Sequence, residues 1–168
     1  MADELRLNLG ALRSAMHLTL HTHHASRIWR GRARSEDRAG IIGLNGFISI
    51  MSRMKRSAEQ DDPYSDWWML QIETKLDETK QGLQVLREQV DQVLADVSPA
   101  LTLGDNLNVQ PLKLPLFVNS QLGFLAVYLL ADYDQLARRL ILAHHTALID
   151  RKAMELWLDE GAHLLRSA

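Results

Sequence analysis

The sequence predicts a mainly α-helical protein built on two long helices, with a small amount of strand near residues 14–21 and 101–118. Three observations predict this. First, Met69, Ile72, Leu76, Thr79, Leu83, Leu86, Val90, Val93 and Val97 alternate steps of three and four residues over four heptads. That spacing is the apolar seam of a coiled-coil-like helix, with Thr79 as its polar interruption. Second, Leu122, Ala126, Leu129, Tyr133, Leu136, Leu140, Ala143 and Ala147 repeat the pattern. Third, Pro99, Pro111 and Pro115 forbid continuous helix between the two seams, because proline lacks the amide that an interior turn requires.

Taken in order, the elements begin ambiguously. Met16, Leu18 and Leu20 alternate with His17, Thr19 and His21, a two-residue period suited to a half-buried strand over about 14–21. Leu5, Leu9, Leu12 and Met16 also fall at helical spacing. A short helix is expected over 22–32. Gly31, Gly40 and Gly43 then bracket a charged loop, and Leu44, Phe47, Ile50, Met51 and Met54 form one stripe of a helix over 44–59. Asp61-Asp62-Pro63 is a helix start, with Asp62 free to cap amides and Pro63 suited to the first helical position. The helix that follows is expected to be on the order of 50 Å long. Alternation at Leu101/Leu103, Leu107/Val109 and Leu112/Leu114/Leu116 around Gly104-Asp105-Asn106 predicts an extended hairpin. The second long helix is expected from about Asn119 to Ile149, and Asp150 caps a last one. The two long helices are expected to pack as an antiparallel pair, with a homodimer through either seam as the alternative.

A net charge of −2 over 168 residues conceals segregation. From Arg13 to Arg56 there are nine basic residues against Glu36 and Asp37, a net +7, whereas Glu59–Asp105 holds eleven acids against three bases, a net −8. This divides the chain into a basic region, 1–60, and a helical region, 61–168. A dedicated basic surface and internal pairing of the two segments weigh about equally. The absence of cysteine excludes disulfides, thiolate zinc sites and a cysteine nucleophile. No window approaches the roughly 20 apolar residues of a membrane span, and the start MADELRLNLGALRS has no secretory h-region, so a cytoplasmic protein is expected.

No phosphate-cradling glycine loop, nucleophile elbow or H-E-x-x-H motif occurs, so neither an enzyme nor a cofactor or small-molecule substrate is indicated. His17, His21 and His24 would share a helix face at i, i+4 and i+7, but no carboxylate or cysteine completes a ligand set and no metal site is assigned. Asp132 and Asp134 are read as ordinary solvated acids. Trp67 and Trp68 are read as core, since each aromatic buries a large area. The basic segment carries the functional expectation. Strand, helix, glycine-containing turn and helix is the order of a ribbon-helix-helix module, in which strand residues read bases in the major groove. On that basis His17, Thr19 and His21 face bases, and Arg27, Arg30, Arg32, Arg34 and Arg38 contact phosphates of double-stranded DNA.

Four stretches carry a resemblance. LTLHTHHASRIWRGRA (18–33), IIGLNGF (41–47), DDPYSDWWML (61–70) and YLLADYDQLARRLILAHHTALIDRKAMELWL (128–158) resemble a family encoded on integrating conjugative elements and related to AcaB-like transcriptional regulators of conjugative plasmids. The likeness covers most of the chain from Leu12 onward, and DDPY-aromatic and LLADYD are its most specific parts. It implies DNA binding and control of transfer genes, and brings no catalytic residues. Family members continue past the position of Ala168, so a carboxyl-terminal portion is expected to be missing. The expectation is a DNA-binding accessory or regulatory protein, dimeric or joined to a helical partner; the alternative is a helical protein-interaction module with no nucleic-acid role.

Overall fold

The computed structural model describes residues 16–104, 106–118 and 120–167. Arg13, the first two residues of the expected strand, the alternative helical spacing through Leu5, Leu9 and Leu12, Asp105 of the expected turn, and Asn119 at the expected start of the second long helix lie outside them. In chain order the elements are β1 (His17–Leu20), α1 (His23–Arg30), β2 (Gly31–Arg32), β3 (Ile41–Ile42), α2 (Leu44–Glu59), α3 (Pro63–Leu94), β4 (Leu112–Pro115), α4 (Gln121–His145) and α5 (Arg151–Arg166). The mainly helical class with a little strand is as the sequence predicts.

Each long helix starts where its side chains can satisfy free amides. Asp62 accepts from the Tyr64 amide at 3.1 Å and from the Ser65 hydroxyl at 2.8 Å, ahead of Pro63. Ser120 accepts from Gly123 and opens α4, and Asp150 accepts from Ala153 at 2.7 Å and opens α5. The α3 seam is buried from Leu76 to Val90, including Thr79. The Thr79 hydroxyl donates to the Lys75 carbonyl at 2.8 Å and lies 3.4 Å from the Leu164 carbonyl of α5, which removes the cost of a polar group in the seam.

The two long helices run parallel, not antiparallel. Met69 and Glu73 near the start of α3 share a groove with Leu122 and Leu125 near the start of α4. At the far ends, Asp91 pairs with Arg139. The reason is the connector. Residues 95–120 can reach about 85 Å when extended, well beyond the roughly 48 Å of α3, so the chain returns to the starting end before α4 begins. It is fastened on the way: the Asn106 side chain donates to the Arg138 carbonyl, Asn108 bonds His21, and the Leu116 amide donates to the Met16 carbonyl.

The expected hairpin within 101–118 is also corrected. Among the described residues there the one strand is β4, which pairs antiparallel with β1, with Leu18 opposite Leu114 and Thr19 opposite Lys113. Leu18 and Leu20 point into the core, and His17 and Thr19 point out, as the alternation predicts. The charged loop after α1 is itself a small hairpin, β2 paired with β3 and an inner bridge between Ser35 and Arg38. At its base Gly31 has φ +71° and crosses Gly43: a Cβ on Gly31 would collide with the backbone of Ile41 and Gly43, and one on Gly43 with the backbone of Trp29, Arg30 and Gly31.

The core lies along α4, whose one outward stripe carries the exposed Leu125 and Tyr128. Leu130, Tyr133, Ala137 and Leu140 of α4 meet Val90 of α3 and Leu158 of α5. Leu20, Ala25, Ile28, Ile48 and Met51 from β1, α1 and α2 belong to the same cluster.

α4 stops at His145, four residues earlier than the sequence suggests. Ala147 takes φ +62°, its amide donates to the His144 carbonyl, and the Leu148 amide donates to the Ala143 carbonyl. These two bonds form the left-handed end that glycine usually supplies, so no glycine marks it in the sequence. α5 then folds back along α4, with the Tyr133 hydroxyl donating to the Leu158 carbonyl at 3.0 Å.

Candidate nucleic-acid interface

The candidate interface is set by the junction of β1 and α1. Thr22 caps α1 by accepting from the Ala25 amide. Beneath it sits Asp134 of α4, 2% exposed. Its carboxylate accepts from the His21 amide at 3.1 and 3.2 Å, the Thr22 amide at 3.0 Å and the Thr22 hydroxyl at 2.8 Å. A carboxylate at a helix start complements the partial positive charge of the free amides there. Arg138, with its Nε 3.8 Å from Asp134, supplies the counter-charge. Asp134 is therefore a buried structural group, in contrast to the solvated acid expected from sequence, and one of the two aspartates of LLADYD anchors the basic helix.

The predicted site residues divide into three sets. His17 and Thr19 lie on the exposed face of the β1–β4 ribbon, with Lys113 directly across from Thr19. His21 leaves that face for a structural role: its ring Nδ1 accepts from the Asn108 amide at 3.1 Å, and its carbonyl accepts from the Asn108 side chain at 3.2 Å. Arg27 and Arg30 are exposed on α1, and Arg32, Arg34 and Arg38 are exposed on the β2–β3 hairpin. Arg32 is held in place, its Nε and Nη2 donating to the Ala39 carbonyl at 3.2 and 2.9 Å.

Arg27, Arg32 and Arg38 meet at one cleft of about 770 Å³, together with Arg166 from the end of α5. Arg30 and Arg34 are not among the residues lining it. Sequence reasoning missed two cations. Lys113 sits in a proline-flanked stretch whose strand partner is nearly a hundred residues away, and Arg166 belongs to a charge-balanced segment. Only the fold brings either one to the basic region.

The charge map is resolved by what the arginines do not touch. Among the described residues, ion pairs join Lys75 to Glu78, Arg138 to Asp134, Arg139 to Asp91 and Arg151 to Glu155. Arg27, Arg30, Arg32, Arg34 and Arg38 take part in none of them, so the acids of α3 do not neutralise the five arginines. Nor do His17, His21 and His24 converge, and among the described residues no three His, Asp or Glu side chains group as metal ligands do.

Among the described residues three titrations are displaced, those of His24, Asp132 and Tyr133. Burial pushes the Asp132 carboxyl above the ordinary carboxylate value, against the opposing charges of Arg87 and Lys80. Burial pushes His24 below the ordinary histidine value, and the neighbouring Arg27 guanidinium acts in the same direction. Burial pushes the Tyr133 hydroxyl up to about 12. The aromatic pair also departs from expectation. Trp67 and Trp68 are 53% and 52% exposed and meet edge to face at 4.9 Å, with Tyr64 78% exposed on the preceding turn. They stand at the very start of α3, ahead of its buried seam, and therefore face outward instead of into the core.

The described helices include none long and apolar enough to cross a membrane. The family model "Transcriptional regulator AcaB" matches residues 8–168. No curated protein matches the sequence. Among solved structures, the crystal structure of selenomethionine-containing AcaB from uropathogenic E. coli is similar at a TM-score of 0.65 and 16% identity, covering 90% of this chain and 72% of that one. That likeness shows a shared fold.

Proposed function

The chain belongs to the AcaB family of transcriptional regulators, and on that premise we propose that it acts by binding double-stranded DNA in the bacterial cytoplasm, as an accessory regulator of an integrating conjugative element. The observation that carries this reading is the set of five exposed arginines, on α1 and the β2–β3 hairpin, that take part in none of the ion pairs among the described residues. Exposed guanidinium groups on a helix and the hairpin that follows it suit phosphate contacts, which release counterions and supply sequence-independent affinity. His17 and Thr19, beside Lys113 on the outer ribbon face, are the base-facing candidates. In a ribbon-helix-helix dimer, strands of two chains pair with each other. Here β4 takes one edge of β1, so a second copy would add at the other edge.

The test is binding of fluorescent duplexes drawn from the host element's promoters, against scrambled duplexes, at low and physiological salt. Specific binding that survives physiological salt supports the proposal. Equal, salt-labile binding to both duplexes contradicts a specific regulator.

The exposed Tyr64, Trp67 and Trp68 favour a second reading, a helical protein-interaction module. A protein partner that co-purifies after nuclease treatment, with no duplex binding, would select it.

A further inference from the structure

We propose that the arginine-rimmed cleft is a binding site for a small amphipathic anion, a molecule with one carboxylate, sulfonate or phosphate on an apolar body. Its volume of about 770 Å³ falls within the usual range for small-molecule sites. Its chemistry is two-sided. Arg27, Arg32, Arg38 and Arg166 stand around it, and among the described residues no aspartate or glutamate lines it to offset these cations. The floor is apolar: Phe47 of α2, Leu76 of α3 and Leu129 of α4 line the same space. A phosphate backbone is anionic and offers little apolar surface, so phosphate contacts alone leave the floor unexplained. An anion with an apolar tail satisfies both halves. One wall is already fixed, because Gly31 and Gly43 lock the hairpin base and the Ala39 carbonyl holds the Arg32 guanidinium.

Arg27, Arg32 and Arg38 also belong to the proposed DNA surface. An occupied cleft therefore withdraws three cations from DNA and weakens duplex binding. This regulatory consequence rests on the DNA-binding reading above, whereas occupancy of the cleft does not.

The test uses 8-anilinonaphthalene-1-sulfonate and its neutral analogue N-phenyl-1-naphthylamine, which share an aromatic body and differ in the sulfonate. The expected result is saturable fluorescence at one sulfonate per chain, with the neutral dye at least tenfold weaker. Arg27→Gln with Arg166→Gln should weaken sulfonate binding at least tenfold while the melting midpoint stays unchanged, both side chains being exposed. Equal affinity for the two dyes, or an unchanged affinity in the double variant, overturns the site. Free decanoate should displace the dye, and phosphatidylglycerol vesicles at equal acyl concentration should not; the reverse would overturn a small-molecule ligand in favour of a membrane. Finally, decanoate should raise the apparent Kd for a duplex several-fold. Unchanged duplex affinity in chain that binds decanoate overturns the regulatory coupling. If the ligand-free chain binds no duplex, the DNA reading fails and the dye titration still decides the cleft.

Discussion

Removing the Asp134 carboxylate leaves two amide N–H groups and the Thr22 hydroxyl without their acceptor at the start of α1. Asp134→Ala is therefore expected to cost about 2–4 kcal/mol, lowering the melting midpoint by several degrees and loosening α1 in amide exchange. A midpoint within a degree of wild type would mean that α1 does not depend on this cap. At the end of α4, Ala147→Gly should do the opposite. It relieves an L-residue of φ +62° and is expected to stabilise by about 0.5–1 kcal/mol in a denaturant titration. His24 carries a pH dependence. Because burial lowers its folded-state value below the ordinary 6.5, folding favours its neutral form. Its contribution is complete above 6.5 and is lost as the pH falls through the lowered folded value. Melting of wild type and His24→Gln followed from pH 8 to pH 5 should show wild type losing more stability on acidification; parallel curves would remove His24 as the cause.

Helices, caps and the core-facing sides of the two seams were legible at the level of the element, because a three-four apolar spacing and Asp62-Pro63 act locally. Direction was not. Antiparallel packing follows from a short connector, and nothing in residues 95–120 shows by its own composition that it doubles back to pair β4 with β1. A strand whose partner lies almost a hundred residues away leaves no local trace. The same reason hid Lys113 from the candidate site and put Asp134 among the solvated acids. The end of α4 was missed because alanine occupies a position where glycine would have been the signal. The parallel arrangement is directly testable, since the chain contains no cysteine. Asp91→Cys with Arg139→Cys should crosslink rapidly with a short bismaleimide, and Met69→Cys with Arg139→Cys, adjacent only in an antiparallel pair, should not. The reverse pattern would overturn the packing.

Across the whole molecule, the sequence showed that charge is segregated but left open whether the halves neutralise each other. The fold answers for the five arginines of α1 and the hairpin, which join none of the ion pairs among the described residues, while the acids of α3 turn outward or pair with neighbours such as Lys75 and Arg139. A chain with net charge −2 thus presents a local cationic surface, on a fold shared with an AcaB crystal structure. The most direct test of its role is the salt dependence of duplex binding by wild type and by a variant carrying Arg27→Ala, Arg30→Ala and Arg34→Ala. Each lost phosphate contact should flatten the slope of log Kobs against log salt by about 0.9, so the variant should bind more weakly with a slope shallower by about 2–3. A variant with wild-type affinity and slope, or a wild-type chain that binds no duplex at low salt, would contradict the account.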